Sequence, residues 1–300
     1  MKWTKIMATV LLVLSIGCTK GGNGNPDPVN PEENQHLKKQ VKLSLGLTTR
    51  VSEASFDQED KIGLYMVYYN GTAPGTLSNS GNGADNVQFT YNGQWTSASP
   101  LHWKDNTTHA DFYVYHPYGS PYNVQAYNFS LKEDQSSVAN YKSSDFIWGK
   151  KSNASPADEY VTIQTSHIMS CMIIKLAAGE GFTEDEIANG NPQIRLNGIK
   201  HGASINLTNG KVTASGNAST TIPLKNGSEW KAIIGPQEIG EQDLITVIVG
   251  GVEYNLKKGF TFNQGKKYTF TVTLSKGSSG INVDISDWYD DGIDYGGVAE

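Results

Sequence analysis

The chain is short of the residues that staple small folds or grip anions. Among its 300 residues, cysteine occurs only as Cys18 and Cys171 and arginine only as Arg50 and Arg195. Cys18 lies near the N-terminus and Cys171 inside an apolar run, so no disulfide framework is available and Cys171 reads as a buried, inert thiol. Helical periodicity is almost absent. The sequence also lacks a G-x-S-x-G elbow, an H-E-x-x-H pair, a P-loop and a glycine fingerprint on a strand-helix unit. These absences argue against an enzyme and against a nucleotide cofactor. Basic charge is in deficit, with 24 Lys and Arg against 30 Asp and Glu, which argues against a nucleic-acid partner.

Metal-ligand spacing is missing as well. His102, His109 and His116 recur every seven residues with Asp111 nearby. An odd separation along a strand, however, sends successive side chains to opposite faces, and no cysteine joins them to make a zinc set. Asp57, Glu59 and Asp60 fall in a turn-like stretch and read as a solvated loop. Asp287, Asp290, Asp291 and Asp294 surround Gly292 without the spacing or closing glutamate of a calcium loop, and read as a solvated acidic tail. His167 reads as a hydrogen-bonded residue at the start of an apolar strand. The expectation is no metal, no cofactor and no catalytic residue.

The N-terminus carries what the rest lacks, a long apolar run. Lys2 and Lys5 precede an almost unbroken apolar stretch over 6–16 that ends at Gly17-Cys18. Residues 1–17 read as a signal peptide, since the run is shorter than the ~20 residues a membrane span requires. Gly17-Cys18 resembles a bacterial lipobox, in which the cysteine is diacylated and becomes the mature N-terminus. A lipid anchor is therefore expected at Cys18. Residues 18–38 are rich in Gly, Asn and Pro with no periodicity, and read as a flexible tether with a reach of roughly 25 Å. Loss of 1–17 removes two of the 24 basic residues and no acid, leaving 22 against 30 and a net charge of −8.

From residue 39 onward the dominant signal is alternation at period two, rich in Val, Ile, Tyr, Phe and Thr and punctuated by Asn-Gly and Gly-Gly. It predicts antiparallel strands over 41–47, 62–69, 87–91, 110–116, 145–150 and 160–165, with a loop over 71–86. A second series covers 168–177, 193–196, 203–207, 220–224, 230–234, 244–249, 252–256, 268–274 and 281–285. Val249-Gly250-Gly251-Val252 and Thr208-Asn209-Gly210-Lys211 read as hairpin turns. Thr183 and Glu186 have capping-box spacing for one short helix that Gly190 would stop. So many short strands indicate an all-β chain of β-sandwiches. The polar stretch 154–159 with Pro156 places a domain boundary near Ser166, giving an N-terminal sandwich over 39–165 and a C-terminal sandwich with its acidic tail over 166–300. The 15 tyrosines and 6 tryptophans suit glycan-stacking platforms, but they are also favoured strand residues, and Phe112 to Tyr115 read as core and edge.

Several segments taken in order resemble the fimbrillin family of Bacteroidales, which are subunits and accessory proteins of lipoprotein-derived surface pili. They are Thr49-Arg50; Phe56 with Asp60-Lys61-Ile62-Gly63-Leu64-Tyr65; Trp95; PLHWKDNTTHADFYVYHPY over 100–118; Ser144-Asp145-Phe146-Ile147-Trp148-Gly149; His167-Ile168-Met169-Ser170; IIGPQ over 233–237; Gly265-Lys266-Lys267-Tyr268; and Ile285 with Trp288. The resemblance implies two tandem transthyretin-like antiparallel β-sandwich domains and export as an outer-membrane lipoprotein. It further implies a first strand that an arginine-specific protease cuts off after Arg50. Its residues Leu43, Leu45 and Leu47 are then displaced by a strand from a neighbouring fimbrial subunit. Arg195, inside a predicted strand, is expected to be protected. The short Gly- and Asp-rich tail after Trp288 favours a tip or accessory subunit, and leaves Ile281, Val283 and Ile285 as either a donor or a fixed closing strand. The expected role is adhesion to a host or bacterial surface. The rival is a surface glycan-binding lipoprotein that does not polymerise.

Overall fold

The computed structural model describes residues 38–47 and 56–276, together with the backbone of 280–287. Alternating β-branched and aromatic residues build three sheets. The first has seven strands in the order β1 (Leu43–Leu47), β8 (Val161–His167), β7 (Ile147–Ala154), β5 (Ala110–His116), β2 (Lys61–Tyr68), β3 (Ala84–Tyr91) and β4 (Trp95–Thr96). In β2 and β5 nearly every residue is buried, because these strands lie at the middle of a sheet covered on both faces. Their near-continuous apolar runs are the sequence mark of that position.

One face of this sheet holds a cluster that includes Ile62, Leu64, Met66, Phe89, Trp95, Trp103, Phe112, Val114 and Ile163. Residues from every strand of the sheet except β7's outer positions converge there, Ala154 of β7 included. The other face presents Tyr65, Val67, Tyr113 and Tyr115 to a second cluster shared with Met169, Cys171, Ile205 and Ile233 of the chain's second half.

The second half is a β-sandwich. One layer runs β11 (Lys211–Thr221), β10 (Gln193–Asn206), β14 (Gln237–Val249) and β15 (Val252–Phe262), with β6 (Tyr127–Ser130) paired to β10. The other runs β12 (Leu224–Asn226), β13 (Glu229–Ile234), β9 (Ser170–Ala178), β16 (Lys266–Leu274) and β17 (Gly280–Asp287). Between them lie Ile174, Leu196, Trp230, Leu244, Val247, Phe262, Tyr268 and Phe270. Helix α2 (Glu184–Asn189) closes one side through Ile187. Its Thr183 hydroxyl accepts from the Glu186 N–H while the Glu186 carboxylate accepts from the Thr183 N–H, as the capping-box spacing requires. Helix α1 (Val138–Ser143) starts at the Ser137 cap.

Several expectations meet corrections here. Two pairings are parallel, β1 with β8 and β9 with β16, because long connections bring the chain back to run beside the earlier strand in the same direction. The stretches 193–196 and 203–207 are one strand, β10, carried across two register shifts between Leu196 and Gly202. β4, β6, β12 and α1 are too short to leave a periodic signal. The Gly-Gly turn is as expected, with Gly250 at φ +57° and Gly251 at φ +83°, values that only a residue without Cβ adopts freely. The Asn-Gly reversal is longer than a two-residue turn, since Asn206 pairs with Lys211 and the Gly210 N–H donates to Asn206 O at 2.7 Å.

A strap ties the first half of the chain to the sandwich. After β6 the Leu131 N–H donates to His201 O, the Gln135 N–H to Ile222 O, and the Ile222 N–H to Glu133 O. The Gln135 side chain is fully buried. Its Oε1 accepts from the Ile233 N–H at 2.8 Å, and its Nε2 donates to Ile233 O at 2.8 Å and to Lys132 O at 3.1 Å. One amide thus satisfies both backbone groups of a residue that has no strand partner for them on that side.

Candidate functional site

The residues singled out in the sequence divide between the described chain and the rest of it. Cys18, Arg50, Trp288 and the acids after it lie outside the described residues, as does all of 1–37. The strand expected to be displaceable lies within them, as β1.

β1 is an end strand. It pairs with β8 over five positions, Leu43 with Val161 through Leu47 with Thr165. Alternation turns Val41, Leu43, Leu45 and Leu47 to one face, but their depth falls along the strand. Val41 and Leu43 are buried, Leu45 is half-buried against the cluster, and Leu47 is half-buried outside it. The apolar anchor therefore sits at the start of the strand, with Val41 in place of Leu47. Burial of each such side chain stabilises by about 1.5–3 kcal/mol.

Backbone and side-chain bonds converge on the same end. The Val41 N–H donates to Leu101 O and the Trp103 N–H to Lys39 O, at 2.8 and 2.9 Å. Lys39 Nζ donates to Pro156 O and Asp158 O. The loop that supplies Leu101 and Trp103 is itself pinned by Asp105. Its carboxylate accepts from the Thr108 hydroxyl and N–H and from the Thr107 N–H, and these bonds hold its pKa far below the usual carboxylate range.

Beside β1, reaching over Tyr160 and Thr162 on the β8 side, runs a groove of about 700 Å³. One wall is β1 itself. The other is the β3–β4 hairpin, with Phe89, Tyr91, Gly93, Trp95 and Thr96. The two end strands of the seven-stranded sheet thus face each other across a gap. Phe56, where the described chain resumes, packs edge-on against Trp95 with ring centroids 4.9 Å apart. Lys42, the one charged residue among the described residues of the lining, lies over the Tyr160 ring at 5.6 Å. The predicted strands do not include β4, although Asn92-Gly93 just before Trp95 is a strong hairpin signal and Gly93 takes φ +80°.

The other candidates do not converge. His109 Nδ1 bonds Asn153 Oδ1, His116 Nδ1 bonds Lys61 O, and His102 lies in a bridge with Gln40. Among the described residues no group of three or more His, Cys, Asp or Glu is placed to hold a metal ion. The Asp57 N–H donates to Asp60 Oδ2 in a surface turn, and Asp57 pairs with Lys142. His167 ends β8 and is held by Asp145 Oδ2 at 2.5 Å. Arg195 lies in β10 paired with Thr246 of β14, its exposed guanidinium 3.3 Å from Glu253. Cys171 is buried beside the Tyr141 hydroxyl.

Comparison with known proteins agrees with this architecture. A family model described as Fimbrillin-like matches residues 49–288. A Bacteroides uniformis protein named as a candidate fimbrium subunit, Fim1C, is 23% identical across 94% of this chain and 93% of its own. Among solved structures, a candidate cell adhesion protein of Bacteroides ovatus superposes with a TM-score of 0.69 at 18% identity, over 85% of this chain and 99% of that one. A second, from Bacteroides uniformis, gives 0.66 at 20% identity, over 83% and 98%.

Proposed function

This chain belongs to the fimbrillin-like family, a family of structural fimbrial proteins and not of enzymes, and from that premise we propose that it is a tip or accessory subunit, made of two tandem transthyretin-like sandwiches, assembled by strand exchange. Export is by the 1–17 signal, the lipid on Cys18 holds the chain at the outer membrane, and 18–38 serve as the tether. A protease cut after Arg50 leaves β1 attached only by its ladder with β8, its bonds to 101–103 and its side chains. A strand from a neighbouring subunit then replaces it, and the assembled appendage serves adhesion.

The observation that carries this reading is the position of β1. It is the end strand of its sheet, bonded to one neighbour, rooted in the core by Val41 and Leu43, and followed within three residues by one of the chain's two arginines. Strand replacement needs such an arrangement, because an incoming strand must recover both the ladder and the apolar contacts that the old one gives up. Arg195, the other arginine, has its backbone within the β10 ladder.

The test is brief exposure of the native protein to an arginine-specific protease, with fragments read by mass spectrometry. One early cut after Arg50 with an intact body is expected, and Arg50→Ala should resist it and stay unassembled. An uncut native chain, or an Arg50→Ala variant that assembles as readily as wild type, would sink the exchange mechanism.

A further inference from the structure

We propose that the groove between β1 and β4 is a docking site for an extended peptide strand of another polypeptide, which pairs with the open edge of β1 while β1 stays in place. This goes beyond the exchange proposed above, because it holds whether or not β1 is ever released.

The direction of the backbone groups carries the argument. The Val161 N–H donates to Lys42 O at 2.8 Å, so in this parallel ladder the even-numbered residues of the strand, Lys42, Ser44 and Gly46, turn their backbone groups to β8. The odd-numbered residues turn theirs the other way. Val41 uses its N–H on Leu101 O, and beyond that point the antiparallel bridge at Gln40 and His102 is finished. Leu43 and Leu45 therefore present N–H and C=O groups to the groove, where the described residues supply no further strand. Proteins ordinarily protect such an edge with proline, a bulge or several charges. Here 43–47 have no proline and no charge, and their register with β8 runs without a bulge.

Volume and chemistry select the occupant. A strand takes about 160 Å³ per residue at a rise of ~3.3 Å, a strand spacing of ~4.8 Å and a layer thickness of ~10 Å. A groove of about 700 Å³ thus holds roughly four residues of strand on that measure. Its floor offers Leu43, Phe89 and Trp95, and its rim Ser44, Thr96 and Thr162, with Lys42 the only charge among the described lining residues. The fitting segment has apolar side chains at every second position for the floor, polar ones between them for the rim, and neutral or negative charge. A saccharide would use the tyrosines and hydroxyls but leave the backbone edge unmet.

The probe is a fluorescein-labelled peptide, Gly-Ile-Asn-Val-Asp-Ile-Ser-Asp, which has this alternation and charge and the sequence of residues 280–287. The target is the full-length, uncut Arg50→Ala chain. Saturable binding is expected by fluorescence polarisation, with slowed hydrogen exchange at the Leu43 and Leu45 amides. Proline in place of the peptide's valine should weaken binding at least about tenfold by removing a ladder donor. Lys42→Glu should weaken it about threefold or more at low salt, and less at high salt. Binding only to protease-cut wild type would overturn the docking site and leave the exchange mechanism standing. Absence of binding to either form, or a bound peptide that leaves Leu43 and Leu45 exchange unchanged, overturns it as well. So does release of the peptide by a neutral oligosaccharide, which would make the groove a glycan site.

Discussion

Leu43→Ala should loosen β1 far more than Leu47→Ala, although both leucines belong to one alternation on one strand. Leu43 is 7% exposed and joins the cluster with Phe112 and Ile163, whereas Leu47 is half-buried and outside it. A buried Leu→Ala change costs about 2–5 kcal/mol, the spread reflecting how far the surroundings close the cavity. β1 is an end strand beside a groove and can settle, so the low end, about 2 kcal/mol, is the appropriate figure. At about 1.4 kcal/mol per tenfold, that is roughly a thirtyfold increase in the opening equilibrium of the strand. For Leu47 the expected cost is about 0.5 kcal/mol, or roughly twofold. Native-state hydrogen exchange at the Ser44 and Gly46 amides reads this opening directly, since both point into the ladder with β8 and exchange when the strand lifts away. Equal loss of protection in the two variants would refute the gradient of anchoring. A drop in Leu43→Ala matched by the same drop at amides of β2 and β5 would show that β1 does not open separately from its sheet.

Gln135→Ala should destabilise the whole protein by about 3 kcal/mol, because it leaves the buried N–H and C=O of Ile233 without their side-chain partner and opens a cavity; a urea midpoint within error of wild type would contradict the strap's role. His201 sits in a chain of bonds, in which Nδ1 faces the Ser219 hydroxyl at 3.2 Å, that hydroxyl donates to Glu133, and Nε2 lies 2.8 Å from the Thr221 hydroxyl. Burial holds its pKa below the ordinary 6.5, against a smaller opposing pull from Glu133. The unfolded chain therefore binds the proton first on acidification, so this contribution is fully present above about pH 6.5 and is lost as pH falls through the folded value. Urea titrations from pH 7.5 to 5 should show wild type losing stability faster than His201→Gln, and parallel curves would remove His201 as the cause.

Local chemistry alone determined much of this protein. Period-two alternation marks β1, β8 and β16, where a strand's two faces meet different surroundings, and near-continuous apolar runs mark β2, β5 and β9, where both faces are covered. Gly250-Gly251 and the Thr183 capping box are legible for the same local reason, since φ > 0 and an N-cap hydroxyl each favour few residue types. The ordered family segments depend on the chain's order and not on its folding. What the tertiary structure decided is which edge meets which. β1 pairs parallel with a strand more than a hundred residues later, and no spacing in the sequence encodes that partner. Val41, not Leu47, anchors the strand because the 101–103 segment returns to cover its beginning. The groove exists because the curled sheet brings β1 opposite β4, a two-residue strand with too little length for any period. Gln135 reads as an ordinary polar residue in a turn-rich stretch, and only the packing of the strap against β13 makes its amide the partner of Ile233. Contacts of this kind depend on long-range closure, whose free energy is collected over whole sheets and leaves no mark at a single position.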